Sequence, residues 1–279
     1  MPYFEHRGVR LWFEVSDATS PGTPRLFVNG SGSAIDDVRP LLPKFAGGRA
    51  LAVLDHRGMG RSDTPDEAPS MADFADDLMA LLRHLEWTKV DVIGISFGGM
   101  VAQELVCRTP EAVCRLVLMC TSAGGAGGSS YPLHELMDLD DEARRLVMPR
   151  LQDSRFDEEW LRTHHGPVER LVTTSPARPN TVGFRMQMEA RRRHDVWTRL
   201  GGVTVPTLVA SGSFDGIAPP ENGRRIAGRV QGSTYREYEG GHMFFLQDRS
   251  FFDDLETFLA PDPTISDSTP NDSSSRGAR

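Results

Sequence analysis

Short apolar runs alternate with longer amphipathic stretches along most of the chain. Five runs are almost continuously apolar, which is typical of parallel strands buried on both faces. They cover residues 25–29, 50–55, 90–94, 116–120 and 207–212. Residues 3–6 and 9–15 alternate instead and flank Arg7-Gly8, which predicts an antiparallel hairpin.

Between these runs the spacing of apolar residues changes to that of helices. It predicts helices over about residues 33–46, 70–87 and 97–109, and four leucines mark one face of the second (Leu78, Leu81, Leu82, Leu85). Strands that alternate with helices form right-handed crossovers. The expected fold class is therefore α/β, a mostly parallel twisted sheet flanked by helices.

The alternation stops after Cys120. A Gly/Ser-rich stretch follows, and the chain is then charged and helix-prone until the strand pattern resumes near Val205. We interpret residues 125–200 as a helical cap, inserted after the sixth strand beside the usual ligand crevice of such sheets. The core then comprises residues 1–124 and 201–261. Residues 262–279 are rich in Ser, Pro and Asp and are predicted to be a disordered tail.

The amino-acid composition argues against several classes of function. The 279 residues are 39% hydrophobic and 25% charged, with a net charge of −8, which does not suggest a nucleic-acid binder. No apolar run approaches the ~20 residues of a membrane span, and no signal peptide is evident, so the expected location is the cytoplasm. Cys107, Cys114 and Cys120 have no framework or zinc-site spacing and are predicted to be buried thiols, with no metal.

The strongest chemical signal is Gly94-Ile95-Ser96-Phe97-Gly98, a G-x-S-x-G sequence. It follows an apolar strand and opens a helix, which is the setting of a nucleophile elbow. The turn is sharp, and the glycines leave the room it needs. Ser96 is the predicted nucleophile.

A serine hydroxyl needs a base, and the base needs a carboxylate. His242 follows the alternating run 234–238 in a glycine-rich loop, and Asp215 follows the strand at 207–212. Parallel strands end at one edge of a sheet, so both residues are expected beside Ser96. The order Ser96, Asp215, His242 is the order of α/β-hydrolase triads.

A tetrahedral intermediate also needs two donors for its oxyanion. One is predicted to be the backbone N–H of Phe97. The other should come from the glycine-rich loop after the strand at 25–29, and we choose the N–H of Ser31, with Gly30 and Gly32 as alternatives.

The segment Asp55-His56-Arg57-Gly58-Met59-Gly60-Arg61-Ser62 has neither dinucleotide-binding nor Walker A spacing. We interpret it as a structural turn in which Asp55 and Arg57 pair locally.

Together these motifs resemble those of the α/β-hydrolase-fold superfamily over residues 3–259. Within that superfamily they are most similar to those of bacterial serine esterases and the 3-oxoadipate enol-lactonase-like branch. Asn29-Gly30 stands where many members have His-Gly. The serine nucleophile argues against the dehalogenase and epoxide hydrolase reactions. The resemblance implies a serine hydrolase that acts on a small-molecule ester or lactone through an acyl-enzyme, without cofactor. Carbon–carbon bond hydrolysis, thioester hydrolysis, cofactor-free perhydrolysis and a non-catalytic receptor remain alternatives, and a homo-oligomer is left open.

Large apolar side chains of the elbow and the cap could face the pocket and set specificity, although each is more readily explained by packing. The candidates are Phe97, Trp160, Phe184, Met186, Met188 and Trp197. The run 191–195, Arg-Arg-Arg-His-Asp, could bind an acidic substrate, but a solvated helix end with acidic partners is the favoured interpretation.

Overall fold

An eight-stranded sheet runs through the centre of the molecule, with strand order β1-β2-β4-β3-β5-β6-β7-β8. The computed structural model describes residues 2–174 and 181–260; the predicted tail at 262–279 lies outside them. The strands are β1 Tyr3–His6, β2 Val9–Ser16, β3 Arg25–Val28, β4 Leu51–Leu54, β5 Val90–Ile95, β6 Val113–Met119, β7 Thr207–Gly212 and β8 Thr234–Tyr238.

The strand directions divide the sheet in two. β2 is antiparallel to both β1 and β4. The strands from β4 across to β8 are parallel. The predicted α/β class with a mostly parallel sheet is therefore confirmed. Because β3, β5, β6 and β7 all end at the same edge, the loops that follow them form one rim.

Twelve helices surround the sheet in the described residues. They are α1 Ile35–Val38, α2 Leu42–Ala46, α3 Met71–His84, α4 Phe97–Arg108, α5 Asp141–Gln152, α6 Glu158–Thr163, α7 Pro167–Thr174, α8 Val182–Arg192, α9 Trp197–Leu200, α10 Pro220–Arg229, α11 Phe244–Gln247 and α12 Ser250–Leu259. Short 3₁₀ turns occur at Pro110–Ala112, Gly125–Gly127 and Leu133–Asp138.

Two apolar clusters cover the two faces of the sheet, because successive side chains of a strand point to opposite sides. Leu26 and Val28 of β3 pack with α3 and α4, whereas Phe27 between them packs with α2, α11 and α12. Burial on both faces explains why these strands are continuously apolar in sequence.

The predicted helix over residues 33–46 is wrong in its continuity. The structure has two short helices there, α1 and α2, separated at residues 39–41. Pro40 and Pro43 have no N–H to donate, so an unbroken helical hydrogen-bond ladder is not available. Burial of the cysteines is also only partly as predicted: all three thiols are free, but Cys107 and Cys114 are half-buried and only Cys120 is fully buried.

The segment between β6 and β7 contains helices α5 to α9 and two 3₁₀ turns joined by loops, and its described residues include no strand. Its second 3₁₀ turn and α5 pack on the core through Leu136 and Leu151, which share a small apolar cluster with Ile217. Within residues 2–174 and 181–260, no helix combines the length and apolarity that spanning a membrane requires.

The predicted local pairing of Asp55 with Arg57 is wrong. Arg57 reaches across to α3 and binds Asp77, with Nε 2.7 Å from Oδ2, and His6 Nδ1 lies 2.8 Å from the other oxygen of Asp77. Asp55 instead accepts the backbone N–H groups of Ile35 at 2.6 Å and Arg61 at 2.9 Å. Asp77 anchors Arg57, and Asp55 binds two backbone N–H groups. Together the two carboxylates hold the loop after β4 in place.

We expect the Arg57–Asp77 pair to matter far more for stability than the exposed ion pairs. Both side chains are buried, so Arg57→Met leaves a buried carboxylate without its main partner and should cost about 3–5 kcal/mol of unfolding free energy. Arg10→Met removes an exposed ion pair with Asp63 and should cost at most about 1 kcal/mol. Urea denaturation measures both; equal losses would contradict this assignment.

Candidate active site

Ser96 occupies the turn between β5 and α4. Its φ of +56° and ψ of −117° are unusual for a residue other than glycine. The surroundings hold this conformation, because the Ser96 N–H donates to Met119 O at 2.8 Å and Thr121 Oγ1 donates to Ser96 O at 2.8 Å. The turn therefore presents the serine side chain at the edge of the sheet.

The first turn of α4 lies against the end of β3. A Cβ on Gly98 would be 2.1 Å from Val28 O and 2.5 Å from Asn29 O. No side chain fits there, so the contact requires glycine at residue 98. This close approach sets the distance between Ser96 and the loop that follows β3.

Ser96, His242 and Asp215 form a continuous hydrogen-bonded array, although they are far apart in sequence. Ser96 Oγ lies 3.0 Å from His242 Nε2, and His242 Nδ1 lies 2.8 Å from Asp215 Oδ2. A carboxylate beside Nδ1 favours the tautomer with the proton on Nδ1. Nε2 is then free to accept the proton of the serine hydroxyl.

Asp215 is held in place by hydrogen bonds within its own loop. Asp215 Oδ1 accepts the backbone N–H groups of Ile217 and Ala218, both at 2.8 Å. All three members of the array are buried, and Ser96 and His242 retain 9% and 8% exposure. The small exposed fraction leaves Ser96 open to a reactant, while the buried setting strengthens the hydrogen bonds.

The two predicted oxyanion donors, the N–H groups of Phe97 and Ser31, belong to α4 and to the loop after β3. Phe97 is the first residue of α4, so its N–H has no acceptor within the helix. A Cβ on Gly30 would lie 3.7 Å from Ser96 Cβ, which places the β3 loop against the serine. The N–H of Gly32 donates to Gln187 Oε1 at 2.8 Å. Of the alternatives weighed from sequence, the N–H of Gly32 is thus already bound by Gln187 of α8, and the Ser31 assignment stays a prediction.

His56 contacts the loop that follows β3. Its Nε2 lies 3.3 Å from Asn29 O, and its ring packs edge-on against Phe97 with 5.6 Å between ring centroids. Burial lowers the pKa of His56 to about 4, so the ring is neutral at pH 7 and donates one proton to the carbonyl. Sequence reasoning overlooked this role, because a histidine within a turn carries no distinctive pattern.

The end of α5 binds both the loop that carries Asp215 and the loop that carries His242. Gln152 O accepts the N–H of His242 at 2.6 Å, and Leu151 O accepts the N–H of Gly216 at 3.1 Å. Asp153 adds a side-chain contact, since Gln247 Nε2 donates to it at 3.0 Å. The segment after β6 therefore helps to position Asp215 and His242, which no motif in the sequence indicates.

Cys120 lies behind the array and could be taken for a metal ligand. Its sulfur and one ligand atom each of Asp215 and His242 lie within 4.8 Å of one another. However, the thiol donates to His242 O at 3.0 Å, and burial raises the pKa of Cys120 well above its ordinary value. Metals bind the thiolate, so this geometry supports a hydrogen-bonded array better than a metal centre.

Three of the six candidate specificity residues pack against other side chains. Phe97 belongs to the core cluster and Trp197 packs against it, and Trp160 stacks on His164 at 3.7 Å. Arg192 and Arg193 pair with Glu189, as the solvated-helix-end interpretation predicts. Arg191 and His194 differ from this prediction and are buried.

Comparison with known proteins identifies this architecture. Residues 26–158 match the profile of the alpha/beta hydrolase fold family. The enol-lactonase from Burkholderia xenovorans LB400 superposes with a TM-score of 0.78, covering 92% of this chain and 99% of that chain at 22% identity. The chain belongs to the α/β-hydrolase superfamily.

Relatives of this α/β-hydrolase act on different substrates. The poly(3-hydroxyalkanoate) depolymerase of Ectopseudomonas oleovorans is 28% identical over 244 residues, 83% of each chain. The 2-hydroxymuconate semialdehyde hydrolase of Pseudomonas sp. strain CF600 is 36% identical over 121 residues, 42% of this chain and 41% of that protein. The coarse function common to these relatives is hydrolysis, and this chain is a hydrolase of the same superfamily.

We expect Gly98→Ala to disrupt the contact between α4 and β3. The new Cβ would overlap Val28 O, so the helix must shift, and the unfolding free energy should fall by about 1–3 kcal/mol. Gly228→Ala is the matched control, since a Cβ in that part of α10 would meet nothing within 4 Å. It should be neutral or stabilising by up to about 1 kcal/mol. Equal stabilities of the two variants in thermal unfolding would refute the close-approach explanation.

Proposed function

We propose that this α/β-hydrolase is a serine hydrolase that cleaves a carboxylic ester or lactone through an acyl-enzyme on Ser96. The observation that carries the proposal is the continuous line from Ser96 Oγ through His242 to Asp215, at 3.0 and 2.8 Å. The similarity to a depolymerase of a polymer named as a hydroxyalkanoate is compatible with ester chemistry.

In the first half-reaction, Ser96 Oγ attacks the substrate carbonyl carbon while its proton moves to His242 Nε2. Asp215 stabilises the imidazolium through Nδ1–H. The carbonyl oxygen becomes an oxyanion, for which we propose the N–H groups of Phe97 and Ser31 as donors. When the carbon–oxygen bond breaks, the leaving oxygen takes the proton from His242.

In the second half-reaction, water attacks the acyl carbon and gives its proton to His242. The Ser96 Oγ–carbon bond then breaks, the acid departs, and His242 returns the proton to Ser96. The steps use side chains and backbone N–H groups of this chain, together with water. His242 carries the proton in both half-reactions, because it contacts Ser96 while Asp215 stabilises its protonated form.

We further propose that residues 125–200 act as a cap over the site. The contacts of Leu151 and Gln152 with the acid and base loops support this. The same array could attack other activated carbonyls, including thioesters, and the semialdehyde hydrolase similarity over part of the chain keeps carbon–carbon cleavage as an alternative. A panel of esters, lactones, thioesters and dienoic ketones distinguishes these reactions.

We expect Ser96→Ala to lower kcat/KM for a short 4-nitrophenyl ester by several orders of magnitude, since the attacking atom is removed. Asp215→Asn should lower kcat by about 10³–10⁴-fold, because the amide favours the wrong histidine tautomer. Steady-state kinetics measures both effects.

Ser20→Ala, which changes an exposed serine outside the site, is the control and should retain the parental rate. Retention of activity within about tenfold in the Ser96→Ala variant would exclude Ser96 as the nucleophile.

A further inference from the structure

Helix α8 lies across the rim formed by the carboxyl ends of the parallel strands. Near its start, a Cβ on Gly183 would be 1.9 Å from Gly58 O, in the loop after β4. One turn later, Gln187 accepts the N–H of Gly32, in the loop after β3. The helix therefore passes over neighbouring strands in the order in which they lie in the sheet.

The far end of α8 reaches the loop after β6. A Cβ on Gly124 would lie 1.9 Å from His194 O. β3 and β6 are separated by β5 alone, which corresponds to about 10 Å at the usual strand spacing. From Gln187 to the end of α8 at Arg192 the helix rises by about 7.5 Å, and the two residues that follow it reach His194. Arg191 therefore falls over β5 and its neighbour β6, and β5 is the strand that ends at Ser96.

Arg191 is buried without an acidic partner. Its side chain is 7% exposed, and Nη1 donates to Tyr131 O at 2.7 Å. Its Nε and Nη2 are buried and have no hydrogen-bond partner among residues 2–174 and 181–260. Burial lowers the pKa of Arg191 to about 10, so the group stays charged at neutral pH. Residues 175–180 contain no Asp or Glu.

A cavity of about 150 Å³ adjoins this guanidinium. Its lining includes Met100, Ser122 and Ser130, and the two serine hydroxyls are 2.8 Å apart. Met100 is one turn beyond Ser96, and its N–H donates to Ser96 O at 3.2 Å. The cavity is thus polar on one side and adjacent to the elbow.

Gln187 adds a second unused donor. It lies four residues before Arg191 and so on the same helix face. Its Nε2 is buried without a partner in the described ranges. Asp215 is the acidic group whose charge acts on Arg191, but Asp215 is already bound by His242, Ile217 and Ala218.

A buried cation with unused donors is costly unless an anion joins it. We propose that Arg191, aided by Gln187, binds the carboxylate of an anionic substrate. The inference rests on the proposed function and assigns its substrate class as esters or lactones that carry a second, free carboxylate. Arg191 is suited to this because its fork presents two N–H groups to a planar carboxylate.

The first test compares two esters that differ by one charge, mono-4-nitrophenyl glutarate and its neutral methyl ester. We expect wild-type kcat/KM to favour the anionic ester. In Arg191→Met the ratio of anionic to neutral kcat/KM should fall about tenfold or more, since a charge-assisted hydrogen bond is lost. Arg191→Lys, which keeps the charge but not the fork, should recover part of the ratio.

Arg193→Met is the matched control, because it removes the same charge two residues away from an exposed side chain paired with Glu189. Its ratio should equal that of the wild type. A ratio that is unchanged in Arg191→Met, or that falls equally in Arg193→Met, would overturn the assignment.

The second test does not depend on turnover. Calorimetry on the Ser96→Ala protein should detect glutarate but not dimethyl glutarate, and the Arg191→Met substitution should abolish binding. If this binding is found while the wild type hydrolyses neither ester, the anion site stands and the proposed function fails. If acetate and phosphate bind through Arg191 but the ester ratio is insensitive to it, the site takes a free anion and the substrate assignment is overturned. Absence of any Arg191-dependent binding would overturn the site itself.

Discussion

The first turn of α4 can meet the ends of β3 and β5 only because residues 94 and 98 carry no side chain. A Cβ on Gly94 would be 2.6 Å from Gly98 O, and one on Gly98 would be 2.1 Å from Val28 O. This steric constraint fixes Ser96 in its positive-φ turn and places the β3 loop beside it. The strain at Ser96 is compatible with a stable fold because hydrogen bonds from its backbone reach β6 and Thr121.

The second requirement is that the acid and base loops meet at the same edge. Parallel strands alone deliver Asp215 and His242 to the rim, but their final positions depend on α5, whose terminal carbonyls bind both loops. The segment after β6 therefore orders these two loops, in addition to the role of a cap that we propose for it. Helix α8 contributes as well, because Gln187 binds the β3 loop and Arg191 lines the cavity that Met100 of α4 also lines.

Much of this arrangement could be predicted from sequence. Continuous apolar runs revealed the parallel strands, and G-x-S-x-G with its flanking strand and helix located Ser96. The roles of Ser31 and Phe97 remain predictions. Contacts between segments distant in sequence could not be predicted, because no local pattern encodes them. Arg57 pairs with Asp77 of α3 rather than with Asp55. Arg191 is buried whereas Arg192 and Arg193 are exposed, which only the orientation of α8 decides.

Covalent labelling with a fluorophosphonate tests the central claim most directly, because such probes react with a serine only when a base activates it. Labelling is followed by peptide mass spectrometry and by residual ester hydrolysis on the same samples. The account predicts that the label maps to Ser96 and that activity falls in proportion to its occupancy. Ester hydrolysis that persists after Ser96 is fully labelled, or an active protein labelled at another residue, would contradict it.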